Sequence, residues 1–358
     1  MTDLIQFAPG GAAMTFTTPP RPFDVTALFP ELAPLARTAT RLHPRPGSPT
    51  VHDSSVGGPL LWPGDEPWPY CDEPHDSRAS PEVHTPDDVR LLRRVRAAAA
   101  ERLRLDPEAP QWTAEERATC ERLANRPWFD GPISLLPVAQ LYARDVPFAC
   151  PPGADLLQVL WCPFDHETAT PKTALFWRSS ATVTDVLDAP PEPPIVQRDC
   201  YLPEPCLLSP EQVTEYPDTA ELEQELRDQL DDERRWETID PAQYDSYADD
   251  TSELYLLNLS VAPGWKTGGW IRWGLGDPRP SPCPGCGTEQ VPLLTIASGE
   301  WEGGRGTWFA EEDRADPSPP PLGDRNGDYT LIDIVGGYNL QLLACPADPS
   351  HPHTELVQ

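Results

Sequence analysis

Two patterns that occur twice, in the same order, constrain the fold of this chain more than any other feature of its sequence. A GGxxxW pattern begins at Gly57 and again at Gly268. Later in each half, a run of mostly apolar residues ends in cysteine and proline, as LQVLWCPFD over residues 157–165 and as LQLLACPAD over residues 340–348. Self-similarity of this kind is typical of a duplicated structural unit. The sequence therefore predicts an α+β, β-rich fold made of two divergent copies of one module.

The repeated apolar run is predicted to be a strand that is covered on both sides. Strand side chains alternate between the two faces of a sheet, so Gln341, Leu343 and Cys345 share one face and the residues between them share the other. Further short apolar runs bounded by turn residues predict strands within residues 133–141, 155–164 and 173–180.

A helical hairpin is predicted as an insertion in the first module, at about residues 85–126. Thr85 is a suitable N-cap and precedes Pro86, which suits the first helical position. Thr113 and Glu116 have the spacing of a capping box for a second helix. The hairpin also contains a dense run of basic residues. This run indicates either a solvated face that pairs with acidic residues elsewhere or a docking surface for an acidic partner. Its basic residues are Arg90, Arg93, Arg94, Arg96, Arg102 and Arg104.

The rest of the chain divides where its composition changes. Residues 1–50 are interpreted as an N-terminal lead punctuated by proline, residues 51–190 as the first module and residues 251–358 as the second module, which carries a CxxC turn. Between the modules, residues 191–250 are interpreted as an acidic linker. Within this linker the run ELEQELRDQLDDERRWE predicts a polar surface helix over residues 221–237.

Charge and composition argue against several classes of protein. The chain has 27 Lys and Arg against 57 Asp and Glu, and its net charge of −30 repels phosphate backbones and anionic lipids. The N-terminal residues do not have a targeting pattern, and no stretch approaches the ~20 apolar residues that span a bilayer. Nine cysteines in such a chain favour reduced thiols or metal ligands over disulfides. We therefore expect a cytoplasmic protein that binds neither nucleic acid nor membrane.

Several segments together carry a resemblance to a known family. They are LHPRPGSP, SSVGGPLLWP with WPYC, GGW with PCPGC and LLTI, and GYNLQLLACP. On these segments the chain resembles the YwqG-like family of bacterial proteins, in its longer actinobacterial form. The resemblance covers roughly residues 40–358, and the arginine-rich hairpin and the acidic linker look like additions. It implies an α+β fold of two related halves, and it implies no catalytic residues.

One candidate metal site lies in the second module. The sequence CPGCG contains Cys283 and Cys286 in a CxxC turn, with glycine placed to let two thiolates converge, as in half of a zinc site. The closing strand ends at Cys345, and His351 follows six residues later. If the turn and the strand end meet, these four residues form a structural zinc site. The alternative is a set of reduced cysteines in a tight turn.

The corresponding positions of the first half offer a second candidate set. Cys71 with His75, and Cys162 with His166, each have CxxxH spacing. This spacing is less diagnostic of zinc than CxxC, because histidines after a proline-rich turn are common on ordinary surfaces.

Tryptophans concentrate near the two double-glycine patterns. Aromatic faces at Trp62, Trp68, Trp270 and Trp273 are candidates to line a cleft between the modules. Packing in the hydrophobic core is the alternative interpretation of these side chains.

The sequence leaves three functional hypotheses open. We expect a non-enzymatic binding or protein-interaction module with a structural zinc site, whose partner is an unidentified protein or small ligand. A cysteine-dependent hydrolase is the first alternative, with Cys162 or Cys345 as the nucleophile and Asp165 or Asp348 orienting a histidine. The second alternative, suggested by acidity alone, is a partner that neutralises a basic toxin.

Overall fold

The computed structural model describes residues 15–75, 82–124, 126–166, 169–239, 251–301, 307–315 and 327–358. Within these ranges the protein is α+β, as predicted. The α-helices are α1 (Val25–Leu28), α2 (Pro86–Leu105), α3 (Ala114–Leu123), α4 (Gln224–Leu230), α5 (Glu233–Trp236), α6 (Thr251–Tyr255) and α7 (Glu311–Ala315). The strands are β1 (Arg37–Arg41), β2 (Arg45–Pro46), β3 (Ser55–Val56), β4 (Tyr70–Cys71), β5 (Ile133–Ser134), β6 (Leu136–Tyr142), β7 (Leu156–Asp165), β8 (Pro171–Arg178), β9 (Cys206–Leu207), β10 (Glu211–Glu215), β11 (Lys266–Gly268), β12 (Val291–Ala297), β13 (Asn339–Ala344) and β14 (Thr354–Val357).

Two six-stranded antiparallel sheets dominate the described part of the chain. Sheet A has the strand order β10-β1-β11-β12-β13-β14, and sheet B has the order β2-β9-β3-β6-β7-β8. Strands β4 and β5 form a separate pair. The chain passes from sheet A to sheet B between β1 and β2, and it returns from sheet B to sheet A between β9 and β10. The segments interpreted from sequence as a lead and a linker therefore each contribute a strand to both sheets.

The pairing of β6 with β7 in sheet B and that of β12 with β13 in sheet A show the same pattern of register. In sheet B, Gln140 lies opposite Gln158, and the β6–β7 register shifts between Pro137 and Ala139. In sheet A, Thr295 lies opposite Gln341, and the β12–β13 register shifts between Pro292 and Leu294. A shift beside proline is expected, because proline has no N–H to donate to the ladder.

Side chains from both sheets meet in one hydrophobic core. Strands β6 and β7 face β12 and β13 across it, and fully burying each large aliphatic side chain stabilises the fold by about 1.5–3 kcal/mol. Its members include Val138, Leu157, Val159, Trp161, Leu294, Ile296, Leu340 and Leu342.

Strand β13, which contains the second copy of the repeated apolar run, is covered on both faces, as the alternation of its side chains predicts. Leu340 and Leu342 face the core between the sheets. Leu343 points to the other face, where it packs with Ile271 and Leu356. The prediction is confirmed for this strand.

The predicted helical hairpin is confirmed as α2 and α3. Thr85 Oγ1 accepts a hydrogen bond from the Asp88 amide at 3.1 Å, and the Asp88 carboxylate accepts one from the Thr85 amide at 3.1 Å. Thr113 and Glu116 form the same reciprocal capping box at the start of α3. Such caps satisfy amides that have no partner inside the helix.

The single polar surface helix predicted over residues 221–237 is wrong in two respects. The segment forms two short helices, α4 and α5, because Asp232 accepts a hydrogen bond from the Arg234 amide at 3.2 Å and starts a new helix. Its apolar side chains are also buried, since Leu226, Leu230 and Trp236 pack with residues of α1 and α6.

Within the described residues, we find no helix that combines the length and the apolar character required to cross a bilayer.

Candidate metal centres

Two groups of four side chains bring cysteine and histidine atoms together. The first cluster consists of Cys71, His75, Cys162 and His166. The second cluster consists of Cys283, Cys286, Cys345 and His351. In each cluster, one ligand atom from every residue lies within 4.8 Å of the other three. These are the same two sets that the sequence predicts.

The first cluster is built at the ends of two strands. Cys71 ends β4, which pairs with β5, and Cys162 lies near the end of β7. The Nε2 atom of His75 is 3.7 Å from Cys71 Sγ and 3.2 Å from Cys162 Sγ. The Nε2 atom of His166 is 3.9 Å from Cys71 Sγ. Each CxxxH segment therefore delivers a thiol from a strand and an imidazole from the loop after it.

A carboxylate orients one histidine of the first cluster. Glu73 Oε2 lies 2.9 Å from His166 Nδ1, and the same carboxylate forms an ion pair with Lys172. If Nδ1 donates to Glu73, Nε2 is left with its lone pair directed at the thiols. Carboxylate–histidine pairs of this kind hold the ligand tautomer at many metal sites.

The second cluster depends on a tight turn. The Cys283 amide donates to the Thr288 carbonyl and the Gly287 amide donates to the Cys283 carbonyl, both at 2.8 Å. Gly287 has φ = +75°, a conformation that side chains with a Cβ rarely adopt. A Cβ on Gly285 would lie only 3.0 Å from Cγ of His351. Glycine at these two positions therefore lets the turn bring the thiols and the imidazole together without strain.

The segment that follows β13 completes the second cluster. Cys345 follows β13, and its Sγ is 3.5 Å from Cys286 Sγ. His351 Nδ1 is 3.5 Å from Cys283 Sγ. The Gly285 amide also donates to Cys283 Sγ at 3.3 Å, as amides often do to thiolate ligands. Turn and strand end thus meet, as the sequence analysis requires for this site.

The separations in both clusters fit tetrahedral metal coordination. With Zn–S near 2.3 Å and Zn–N near 2.0 Å, tetrahedral ligands lie about 3.4–3.8 Å apart. A disulfide would instead bring two sulfurs to about 2.05 Å, and all the cysteines are free. Both clusters could therefore hold a metal ion.

The pKa values of the two thiols in the first cluster shift in opposite directions. The hydrogen bond with Cys162 lowers the pKa of Cys71 to about 4. The same hydrogen bond, with burial as the second cause, raises the pKa of Cys162. The hydrogen bond with Cys71 also raises the pKa of His166. These shifts favour one thiolate at neutral pH, and a bound cation would favour loss of the second proton.

The second cluster shows a similar asymmetry. The hydrogen bond between Cys286 Sγ and Thr288 Oγ1, at 3.3 Å, lowers the pKa of Cys286 to about 6. Burial raises the pKa of Cys345. An incoming cation would displace the remaining protons, as metal binding to thiols does in general.

The four candidate cleft tryptophans occupy two different environments. Trp62 and Trp68 are buried in one hydrophobic cluster, with ring centroids 4.9 Å apart. Their indole N–H groups donate to the backbone carbonyls of Glu66 and Leu135. These two side chains belong to the core, so the prediction that they line a cleft is corrected. Burial of their large apolar rings outweighs any role at a surface.

Trp270 and Trp273 do line a cavity, of about 400 Å³. The guanidinium of Arg37 lies 3.3 Å from the ring centroid of Trp270. Trp273 Nε1 donates to Glu221 Oε1 at 2.7 Å.

The residues proposed for the hydrolase hypothesis are arranged differently from the expectation. Asp165 accepts hydrogen bonds from Gln197 and Tyr201 instead of orienting a histidine. Asp348 Oδ2 is 3.9 Å from His351 Nε2, beyond hydrogen-bond distance. In the first cluster, the carboxylate that does contact a histidine is Glu73, which was not predicted from the sequence. Its position between Cys71 and His75 is the signal that could have identified it.

Comparison with known proteins does not assign the chain to a family. No protein-family model matches the sequence, and no curated protein matches it at a significant level. The resemblance to the YwqG-like family stays a prediction, and the function is inferred from the clusters themselves.

Proposed function

We propose that the protein is a non-enzymatic binding or interaction protein in which each of two modules is fastened by one structural zinc ion. The observation that carries the proposal is the grouping of four cysteine and histidine side chains in each cluster, with all four ligand atoms within 4.8 Å of one another. Thiolate and imidazole donors select zinc over calcium or magnesium, which prefer oxygen.

The number of ligands supports a structural role for the metal. Catalytic zinc is usually held by three protein ligands and keeps a fourth position for water or substrate. Each cluster here supplies four protein ligands, which fill a tetrahedral ion. Each also joins segments far apart in the chain, residues 71–75 to 162–166 and residues 283–286 to 345–351.

The modules themselves are proposed to be copies of one unit. The last four strands follow in chain order in both sheets, and the register shifts lie beside Pro137 and Pro292. Gln158 lies opposite Gln140 and Gln341 lies opposite Thr295 at matching places, which also supports this inference. Cys71 and Cys283 follow the double-glycine patterns, while Cys162 and Cys345 end the repeated strand. Two ligands of each cluster thus occupy corresponding positions.

Elemental analysis of protein purified without chelator tests the metal assignment. We expect about two zinc ions per chain, with one lost in Cys162→Ser and the other lost in Cys345→Ser. Cys120→Ser is the matched control, because Cys120 lies on α3 outside both clusters. A metal content near zero in the wild-type protein, or equal zinc in all variants, would overturn the proposal.

One contact favours a second candidate function, a cysteine-dependent hydrolase that uses Cys71. In the absence of metal, Cys71, His166 and Glu73 have the order of nucleophile, base and orienting carboxylate. Alkylation distinguishes the two functions. Fast labelling of Cys71 in protein as purified, slowed by Glu73→Gln, would favour catalysis. Labelling that begins only after zinc is removed would favour the structural site.

A further inference from the structure

A cavity of about 830 Å³ lies between helix α2, the first double-glycine turn and two proline-rich loops. We name it the α2 groove. Its volume is within the range of about 300–1,000 Å³ that is typical of small-molecule sites. Its walls are Gly57–Pro59, Leu136–Pro137, Ala189–Glu192, Leu202–Pro205 and the α2 residues Arg90, Arg93, Arg94 and Ala97.

Two of the three arginines in the groove are already paired. Arg90 binds both oxygens of Glu192. Arg93 Nη1 donates to Glu204 at 3.1 Å, and its Nη2 donates to two backbone carbonyls of the loop before β9. These pairs confirm that the basic run of α2 contacts acidic residues elsewhere. They also neutralise both carboxylates of the groove.

The third arginine has no partner among the described residues. Arg94 is exposed, and it makes no hydrogen bond or ion pair with any residue that the structure describes. Arg90 is paired with Asp87 as well as with Glu192. Arg94 is therefore the arginine of the groove whose guanidinium has no carboxylate partner among the described residues, and its hydrogen-bonding capacity is unused there.

The rest of the wall offers an apolar surface with few hydrogen-bond donors. Pro59, Pro137, Pro190, Pro191, Pro203 and Pro205 all contribute to it. Proline has no N–H, so these residues can pack against a ligand and cannot donate to it. The guanidinium of Arg94, which has no partner in the part of the chain that the structure describes, is therefore the charged donor that would fix the orientation of a ligand.

The residues at corresponding sequence positions of the second half line a smaller cavity. There the residues after the second double glycine and beside the β12 register shift, Trp270 and Pro292, line a cavity of about 400 Å³. The cation at that place, Arg37, is stacked on the Trp270 ring. The α2 groove has Pro59 in place of Trp270. It is about twice as large, and no described residue pairs with its Arg94.

We propose that the α2 groove binds a small organic carboxylate with an apolar body. The carboxylate pairs with the two terminal nitrogens of Arg94, a geometry that guanidinium favours. The apolar body lies against the proline-lined wall. This assignment rests on the proposed binding function and names its ligand class.

Calorimetric titration with octanoate and with 1-octanol tests the proposal on the full-length protein. The two probes share an apolar chain and differ in charge. We expect octanoate to bind wild-type protein, and Arg94→Gln to weaken octanoate binding by about tenfold, the loss of one charged hydrogen-bonded pair. Octanol binding should be unchanged by that substitution. Arg122→Gln, at an exposed arginine of α3 with no partner among described residues, is the matched control.

A second variant fills the groove instead of removing its charge. Ala97→Trp should abolish binding of both probes while circular dichroism shows a folded protein. The assignment is overturned if octanoate fails to bind zinc-loaded wild-type protein, if Arg94→Gln binds it as well as wild type, or if Ala97→Trp retains it. Zinc measured on the same samples separates the two proposals. Full zinc without octanoate binding rejects the groove alone, and octanoate binding without zinc rejects the metal centres alone.

Discussion

The two Cys/His clusters occupy corresponding places in the two sheets, yet they use different ligands. The first has two cysteines and two histidines, and the second has three cysteines and one histidine. Around Zn²⁺, two thiolates give a neutral site, whereas three thiolates give a site with one negative charge. In both clusters a cysteine follows the double-glycine pattern and another ends the repeated strand. The other two ligands come from nearby loops, whose geometry differs.

The surroundings of the clusters differ in a related way. The first cluster is supported by a carboxylate, since Glu73 contacts both His166 and Lys172. The second cluster relies on backbone geometry, with two glycines and an amide directed at Cys283. One site is therefore organised by side chains and the other by the turn. Four predictions use this difference, ordered from the largest expected effect to the smallest.

Removal of zinc should have the largest effect and should proceed in two steps. Structural zinc contributes about 10–16 kcal/mol of apparent binding free energy in small zinc-binding peptides. We expect a chelator to lower the free energy of unfolding by several kcal/mol. The first cluster, with fewer thiolates, should release its ion at a lower chelator concentration.

Zinc content and thermal unfolding, measured on one chelator series, check this order. Cys162→Ser should leave only the late step and Cys345→Ser only the early one. Simultaneous release of both ions would mean that the two ligand sets bind zinc with equal affinity, which would contradict the prediction.

Glu73→Gln should weaken zinc binding at the first cluster alone. Loss of the partner that orients a histidine ligand typically costs about 10- to 100-fold in metal affinity. Asp348→Asn is the matched change at the second cluster, where the carboxylate is 3.9 Å from His351 Nε2 and makes no hydrogen bond to it. We expect little change there. Competition with a fluorescent zinc chelator measures both affinities, and equal losses would contradict the comparison.

In zinc-free protein, the two clusters should respond to acid over different ranges. The pKa of Cys71 is lowered from 9.0 to about 4, and that of Cys286 from 9.0 to about 6. A thiol whose pKa is lowered by folding stabilises the folded state above its unfolded pKa, and this contribution disappears as pH falls through the folded pKa. Stability due to Cys286 should therefore be lost between pH 9 and about 6, and that due to Cys71 between pH 9 and about 4.

Thiolate absorbance as a function of pH, compared among wild type, Cys71→Ser and Cys286→Ser, measures these two titrations. As pH falls, the absorbance difference between wild type and Cys286→Ser should vanish at a higher pH than the difference between wild type and Cys71→Ser. Coincident titrations would show that side-chain and turn-based hydrogen bonds stabilise a thiolate equally.

The smallest effect is expected from the turn. Gly287→Ala places a Cβ in open space but at φ = +75°, which costs about 1–2 kcal/mol. Gly285→Ala adds a contact with the His351 ring and should also reduce zinc affinity at the second cluster. Gly153→Ala is the control, because Gly153 has φ = +86° in open space away from both clusters. Chemical denaturation and zinc competition separate the backbone cost from the ligand contact.

Residues close in sequence made much of this structure predictable. The capping boxes at Thr85 and Thr113 depend on partners three residues away, and the alternation along residues 340–344 depends only on strand geometry. The ligand sets were predictable because a CxxC turn is local and because the repeat pairs each turn with a strand ending in cysteine. In each case the deciding interaction lies within a few residues or within a pattern that occurs twice.

Tertiary structure alone decided the rest. Trp62 and Trp273 hold the same place in the repeated pattern, but only Trp62 is fully buried, because the surrounding side chains differ in the two sheets. The exchange of strands between the sheets joins segments more than a hundred residues apart, such as Arg37 and Glu215. Arg90 pairs with Glu192 and Arg93 pairs with Glu204, whereas Arg94 has no partner within the described ranges, and these pairs depend on loops far from α2 in sequence. Such contacts depend on the summed packing of distant segments, and no local pattern encodes that sum.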